Sequence, residues 1–140
     1  MNPKSLCLIS LLSLMLAACG SLTRSDTAPW LESRAGAVSE SIAGKWTTAG
    51  GIGANWGEAS FIQEGSRFYG TLGSYNVEGA INGDQIYLAL SAGKKVYYTA
   101  RLNRMVDGSY AGQVVEGAII GRSNGTNDGF SLMTLRRVGR

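Results

Sequence analysis

Histidine is absent from this 140-residue chain, and cysteine and proline each occur only twice. Without histidine there is no Ser-His-Asp relay, no ordinary general base near neutral pH and no imidazole for a transition metal. The two cysteines, Cys7 and Cys19, allow at most one disulfide. Charged residues make up 16% of the chain, and the net charge of +3 is scattered along it. That is not the basic footprint of a nucleic-acid binder. No apolar run reaches the ~20 residues that a permanent membrane-spanning helix requires. Glycine is what the chain has in quantity, 20 residues with no collagen period, the balance of a turn-rich β protein.

Met1-Asn2-Pro3-Lys4-Ser5 is a short start with one positive charge. Leu6 to Leu16 is apolar except for Ser10 and Ser13, and Ala17-Ala18 place small residues before Cys19. This is the layout of a secretory signal with its cleavage site. The string Leu16-Ala17-Ala18-Cys19, followed by Gly20, also resembles the lipobox of bacterial lipoproteins. The resemblance implies a signal peptide over 1–18, cleavage before Cys19, and acylation of that cysteine. Each acyl chain then contributes about 0.8 kcal/mol per buried methylene to membrane anchoring. An aspartate after the cysteine favours inner-membrane retention in Gram-negative lipoproteins. Gly20 in that place implies an outer-membrane protein, lipid-anchored and periplasm-facing. Cleavage would leave 122 residues with no free thiol, so packing alone must hold the fold.

Residues 19–40 read as a lipidated N-terminus and a linker, small, polar and weakly patterned. Thr27 is a candidate cap for a short helix with Pro29 in its first turn and Trp30-Leu31 as an apolar step. Five or six residues rarely hold a helix alone, so the stretch is expected to be a spacer of roughly 20 residues between bilayer and domain.

Residues 41–140 change to a period of two, with turn signals every eight to twelve residues. Strands are expected over Ile42–Thr48, Trp56–Gln63, Arg67–Leu72, Tyr75–Ile81, Gln85–Ser91, Lys95–Met105, Ser109–Gly117 and Gly129–Arg137. Glu64-Gly65, Gly73-Ser74, Asn82-Gly83-Asp84, Ala92-Gly93-Lys94 and Asp107-Gly108 stand between them as hairpin chemistry. Ile86, Leu88 and Leu90 share one face, opposite Tyr87 and Ala89. Val96, Tyr98, Ala100 and Leu102 are expected to oppose Tyr97, Thr99, Arg101 and Asn103. About eight short antiparallel strands with one apolar face predict an all-β domain, a small antiparallel up-and-down β-barrel with no open edge.

VEGAING at Val77–Gly83 and VEGAIIG at Val115–Gly121 repeat with one difference, Asn82 against Ile120. They predict two copies of one hairpin in related places of the sheet. Gly79 and Gly117 then fall in mid-strand, where a missing side chain permits sharp coiling or close packing of an aromatic. Gly70 and Gly112 are candidates for the same part.

The motifs that tempt toward chemistry fail on context. Gly50–Gly57, GGIGANWG, carries Trp56 where a dinucleotide fingerprint needs its third glycine, and neither a helix nor a lysine follows. Ser123–Gly129 alternates oxygen ligands but has Leu135 where a calcium loop needs a bidentate glutamate. Lys94 and Lys95 sit in a turn, solvated and protonated, the wrong state for a base. Glu58, Glu64, Glu78 and Glu116 offer carboxylates, but with Val77 and Val115 inward, Glu78 and Glu116 face solvent. No catalytic residue, metal or cofactor is expected.

Gly44-Lys45-Trp46 opens the first strand and Arg136-Arg137 closes the last. This resembles the calycin arrangement of lipocalins and their relatives, in which a Gly-x-Trp tryptophan packs under a basic residue from the last strand. The resemblance implies a calycin-like barrel closed structurally by Gly44, Trp46 and one of Arg136 or Arg137. The short domain is closer to avidin-like barrels. Two functions then compete. One is a small, mostly apolar ligand in the barrel mouth, lined by Trp56, Phe68, Tyr98, Tyr110 and Phe130. The other, preferred, is a filled barrel acting as an envelope- or protein-interaction module through Tyr69, Tyr87, Tyr97 and Arg101, with the membrane as partner through Cys19. Tyr87 and Tyr97 are expected across one hairpin from each other.

Overall fold

The computed structural model describes residues 20–50, 56–122 and 130–139 of the chain. A helix, α1 (Arg24–Arg34), precedes eight strands: β1 (Gly44–Gly50), β2 (Glu58–Glu64), β3 (Arg67–Leu72), β4 (Tyr75–Asn82), β5 (Gln85–Ala92), β6 (Lys95–Arg104), β7 (Tyr110–Glu116) and β8 (Phe130–Arg137). Each strand pairs antiparallel with the next. β8 returns to β1 with Trp46 opposite Arg137, so the sheet closes into an up-and-down barrel. All eight strands expected from the alternation are present, with ends within two residues of those expected.

Local turn chemistry fixes the register. Glu64 pairs with Arg67, Leu72 with Tyr75, Asn82 with Gln85 and Ala92 with Lys95, leaving two residues for each turn. The first residue of every turn is a glycine at φ of 59–62°, and the second has an ordinary negative φ. Gly-X in this order makes a II′ turn, whose twist matches that of the flanking strands. The Gly73-Ser74 and Gly93-Lys94 turns lie at one end of the barrel, here the upper rim. Gly65-Ser66, Gly83-Asp84 and the β6–β7 loop lie at the other, the lower rim.

The interior is filled. Trp46, Phe61, Phe68, Leu88, Leu102, Tyr110 and Leu135 belong to one core, and none is more than 3% exposed. Eight strands enclose a space just wide enough for such side chains. Phe68 meets Phe61 edge-on at 5.1 Å and lies flat over Gly79 on the next strand, where any Cβ would stand inside the ring. Gly70 and Gly112 bring their backbones against the carbonyls of Ser60 and Arg101, so there the glycine permits coiling of the strands.

A second, smaller core lies outside the barrel, and it corrects the linker expectation. Trp30 and Leu31 of α1 pack on the outward Ala80, Tyr87, Ala89 and Val96, with Ile119 and Ile120 beside them. Residues 24–34 are therefore an 11-residue helix docked on β4–β6, not a spacer. Its cap is Thr23 instead of Thr27. The Thr23 N–H and hydroxyl both donate to the Asp26 carboxylate at 2.9 Å, and these bonds hold that carboxyl below its ordinary pKa. Pro29 falls inside the helix, beyond its first turn. A short helix that is marginal alone is stabilised here by burying its apolar face. Small outward residues, Ala80 and Ala89, give that face room.

Two further expectations fail for non-local reasons. A bulge between Leu90 and Ser91 shifts the β5–β6 register, so Val96 joins the outer core while Tyr98, Ala100 and Leu102 keep their common face. The two VEGA segments are not equivalent. Val77 is inside the barrel on β4, whereas Val115 packs toward the outer core and Glu116 takes the position opposite Tyr98. Gly117, at φ +67°, then turns the chain out of β7 instead of continuing a strand. Thr99 secures the turned-out segment, donating to the Ala118 carbonyl at 2.7 Å and accepting from Ile120 N–H at 2.9 Å.

Gly79→Ala should cost about 1–3 kcal/mol through overpacking against Phe68, read as a lower urea midpoint. In Gly79→Ala/Phe68→Leu the two losses should not add, because the smaller side chain vacates the site of the clash.

Candidate functional site

The lower rim is closed by a tryptophan beneath a guanidinium. Trp46 donates its indole N–H to the Ile42 carbonyl at 2.9 Å and meets Tyr110 at 5.7 Å between ring centroids. Arg137 lies 4.3 Å from the Trp46 ring centroid. Its two terminal nitrogens donate to the carbonyls of Ala43 and Ser41, each at 2.7 Å. Gly44, at φ +122°, lets the backbone pass closely, since a Cβ there would come 3.0 Å from Arg137 Nη1. Burial pushes the Tyr110 phenol above its ordinary pKa. Of the two arginines left open by the sequence, Arg137 takes the inward place, and its neighbour Arg136 points out to Asp107 at 3.2 Å.

The five residues offered as a ligand lining do not form one wall. Phe68 and Tyr110 are buried packing residues in the filled barrel. Trp56 and Tyr98 sit at the upper rim, partly exposed. The Phe130 side chain lies outside the described residues, and its backbone pairs with Val115. At that rim the rings form a chain of contacts: Trp56 to Tyr98 at 5.0 Å, Tyr98 to Tyr75 at 5.6 Å, and Tyr75 to Tyr97 at 5.9 Å. Lys95 Nζ stands 4.7 Å over the Tyr97 ring. Burial, with Tyr75 and Glu116 nearby, pushes the Tyr98 phenol up from its ordinary pKa.

The outward tyrosines also separate. Tyr87 is only 6% exposed, because Trp30 covers it edge-on at 5.9 Å and Arg34 lies 5.7 Å from its ring. Its hydroxyl donates to Gln85 at 2.7 Å. Tyr87 pairs with Arg101 across the hairpin, not with Tyr97, which sits beside the bulge at the upper rim. Tyr69 is on β3 under Arg67, 5.7 Å away. Docking of α1 thus takes Tyr87 out of the surface expected from Tyr69, Tyr87, Tyr97 and Arg101.

The sequence reading missed the β6–β7 loop at the lower rim. Met105 N–H donates to the Ser109 carbonyl at 2.7 Å, and Gly108 N–H donates to the Met105 carbonyl at 3.0 Å. Asp107 accepts from both the backbone and the hydroxyl of Ser109. These bonds hold its carboxyl below the ordinary carboxylate range, with Arg136 adding to the effect. The loop so fixed projects Met105, 48% exposed, and Val106, fully exposed. Clefts of about 560 and 490 Å3 flank it. One is bounded by Glu40, Asp107 and Arg137, the other by Met105, Ala111 and Thr134, and Arg136 lines both. Arg104 anchors the base of the loop through Glu40 at 3.0 Å and Asp84 at 3.1 Å. The sequence signal was two consecutive apolar residues in a turn.

Among the described residues no three Asp, Glu, Cys or His side chains gather to hold a metal ion. The glycine-rich stretch from Gly51 to Asn55 and the Ser123–Gly129 loop lie outside the described residues. Glu78 faces outward and is paired with Arg24.

Arg137→Met should lower stability by about 2–4 kcal/mol, through loss of the cation–π contact and of two charge-assisted hydrogen bonds. Arg136→Met should leave the unfolding midpoint near that of the parent, since its ion pair is exposed. Asp107 has a folded-state pKa below its unfolded value. Its contribution is therefore present above about pH 4 and lost as pH falls through the folded value. Asp107→Asn should lower the melting temperature at neutral pH, and the difference from the parent should shrink on acidification through that range.

The chain matches no protein-family model, no curated protein and no solved structure.

Proposed function

We propose that the protein is a non-enzymatic, lipid-anchored lipoprotein of the cell envelope whose solid barrel presents a binding surface to a protein partner. The anchor rests on Leu16-Ala17-Ala18-Cys19, with Cys19 as the acylated residue and the periplasmic face of the outer membrane as its place. The interaction role is carried by one observation: Met105 and Val106 are held out in water by a loop whose hydrogen bonds leave it little freedom. Single exposed valines are ordinary. A fixed apolar pair standing between two clefts, with Arg136 lining both, has the make-up of a protein-binding hot spot. A prepaid loop conformation also lowers the ordering cost of association.

The small-ligand reading has less support. A ligand in the mouth needs an open interior, and Phe68, Leu88 and Leu102 occupy it with none of their surface exposed. The aromatic rings at the upper rim pack edge-to-face on one another, so their contacts are with each other instead of lining a cavity.

Cys19→Ser should abolish incorporation of labelled palmitate and leave the leader attached, seen as a heavier, unacylated species by mass spectrometry. Met105→Ser/Val106→Asp should keep the parent's unfolding midpoint, because both side chains are exposed. The same variant should lose the principal partner recovered by cross-linking in intact envelopes, and an unchanged partner would count against this surface.

A further inference from the structure

The chain between Cys19 and the barrel is short, and it is pinned to one particular place. Val96 N–H donates to the Leu22 carbonyl at 2.9 Å, and Arg24 N–H donates to the Lys94 carbonyl at 3.0 Å. Thr23 forms an antiparallel bridge with Lys95 between these bonds. Leu22 packs against the outer core, and α1 follows without a break. Leu22–Thr23 thus adds a short extended segment antiparallel to the start of β6, rising from the level of Val96 to the Gly93-Lys94 turn of the upper rim. Only Gly20 and Ser21 separate Cys19 from Leu22. A fully extended chain covers at most about 3.3–3.6 Å per residue, so Cys19 lies within about 11 Å of Leu22.

Resting on the acylation of Cys19, we infer that the upper rim lies against the phospholipid headgroups, with Trp56, Tyr75, Tyr97, Lys94 and Lys95 as its lipid-facing residues. Up-and-down topology brings them together: β4 and β6 begin at this rim with Tyr75 and Lys95, and Trp56 stands just before β2. The short step from Cys19 to Leu22 keeps this end within reach of the bilayer, and the side chains of the rim decide that it is the end that makes contact. The side chains suit the place to which they are brought. Tyrosine and tryptophan are enriched at membrane–water interfaces, where an apolar ring and a polar edge are both satisfied. Lysine reaches phosphate oxygens with its ammonium while its stem covers apolar surface. Trp56, Tyr75 and Tyr97 are each partly exposed and support one another by ring contacts, so the platform is formed before it meets lipid. Glu58 and Glu116 share this end and offset the two lysines. The contact therefore depends on aromatic insertion more than on a net positive field. It turns the lower rim, with Met105 and Val106, away from the membrane.

The test uses the full, acylated chain in vesicles of phosphatidylethanolamine with a minority of phosphatidylglycerol. A nitroxide is placed at Ser74→Cys on the upper rim or at Val106→Cys on the lower rim, both exposed positions. The Ser74 label should be several-fold less accessible than the Val106 label to a water-soluble nickel chelate, and more accessible to oxygen. Equal access at both labels in acylated protein overturns the orientation and leaves the anchor standing. An unmodified Cys19 by mass spectrometry overturns the anchor, and the orientation with it. Adding Lys94→Ser, Lys95→Ser and Tyr97→Ser to the Ser74-labelled, acylated chain should restore nickel access several-fold. Unchanged protection there would mean that the tether alone brings the rim near the bilayer, and would overturn the lipid contact of these side chains.

Discussion

The fold depends on filling a closed barrel from only about a hundred residues. A sheet that closes has no edge to expose, but it commits every inward side chain to one shared volume. Phe68 over Gly79 shows how tightly the volume is divided, because the ring exists only where its neighbour has no side chain. At the lower rim the same constraint is met by Trp46, Tyr110 and the Arg137 guanidinium, which closes the barrel and also satisfies the carbonyls of Ser41 and Ala43. The described residues contain no cysteine, so this packing is what resists unfolding. It also takes the interior away from any ligand.

Strands and turns were legible because their causes are local. Alternation chooses the face, and a glycine in the first turn position sets four of the hairpins at two-residue turns. The Gly-Lys-Trp and Arg-Arg strings at the two chain ends of the barrel also lay open to reading, although strand pairing was needed to choose Arg137 over Arg136. What depended on longer range was misread. Val96 changes face because of a bulge that nothing in its own neighbourhood announces. The VEGA copies share letters but not environment, since one lies in mid-strand and the other marks the exit from β7.

Tyr87 shows the effect most clearly. Its strand position is outward, as the alternation predicts, yet outward is not exposed, because α1 covers it. Trp30-Leu31, noted as an apolar step in a polar segment, was the matching half of the contact. A tryptophan and a leucine on a short helix need a surface, and Ala80 and Ala89 beside Tyr87 leave a shallow place for it. Small residues on the outer face of a barrel, together with an apolar pair in a preceding segment, indicate a docked element. They outweigh the weak propensity of the helix itself.

Docking also reverses the meaning of the N-terminal segment. A flexible spacer would make the orientation of the barrel a matter of chance and leave every surface open to partners. Once Leu22 and Thr23 are bonded to β6 and α1 lies along β4–β6, the residues that could serve as a tether shrink to Gly20 and Ser21. The two rims then cease to be equivalent. The one with edge-to-face aromatics carries the bound Leu22–Thr23 segment, and the one with the fixed Met105-Val106 loop lies at the opposite end of the barrel. Helix, tether and rim chemistry are thus three consequences of the same few contacts. On the proposed acylation of Cys19, the surface left to a protein partner is selected by the segment that sequence alone would treat as filler.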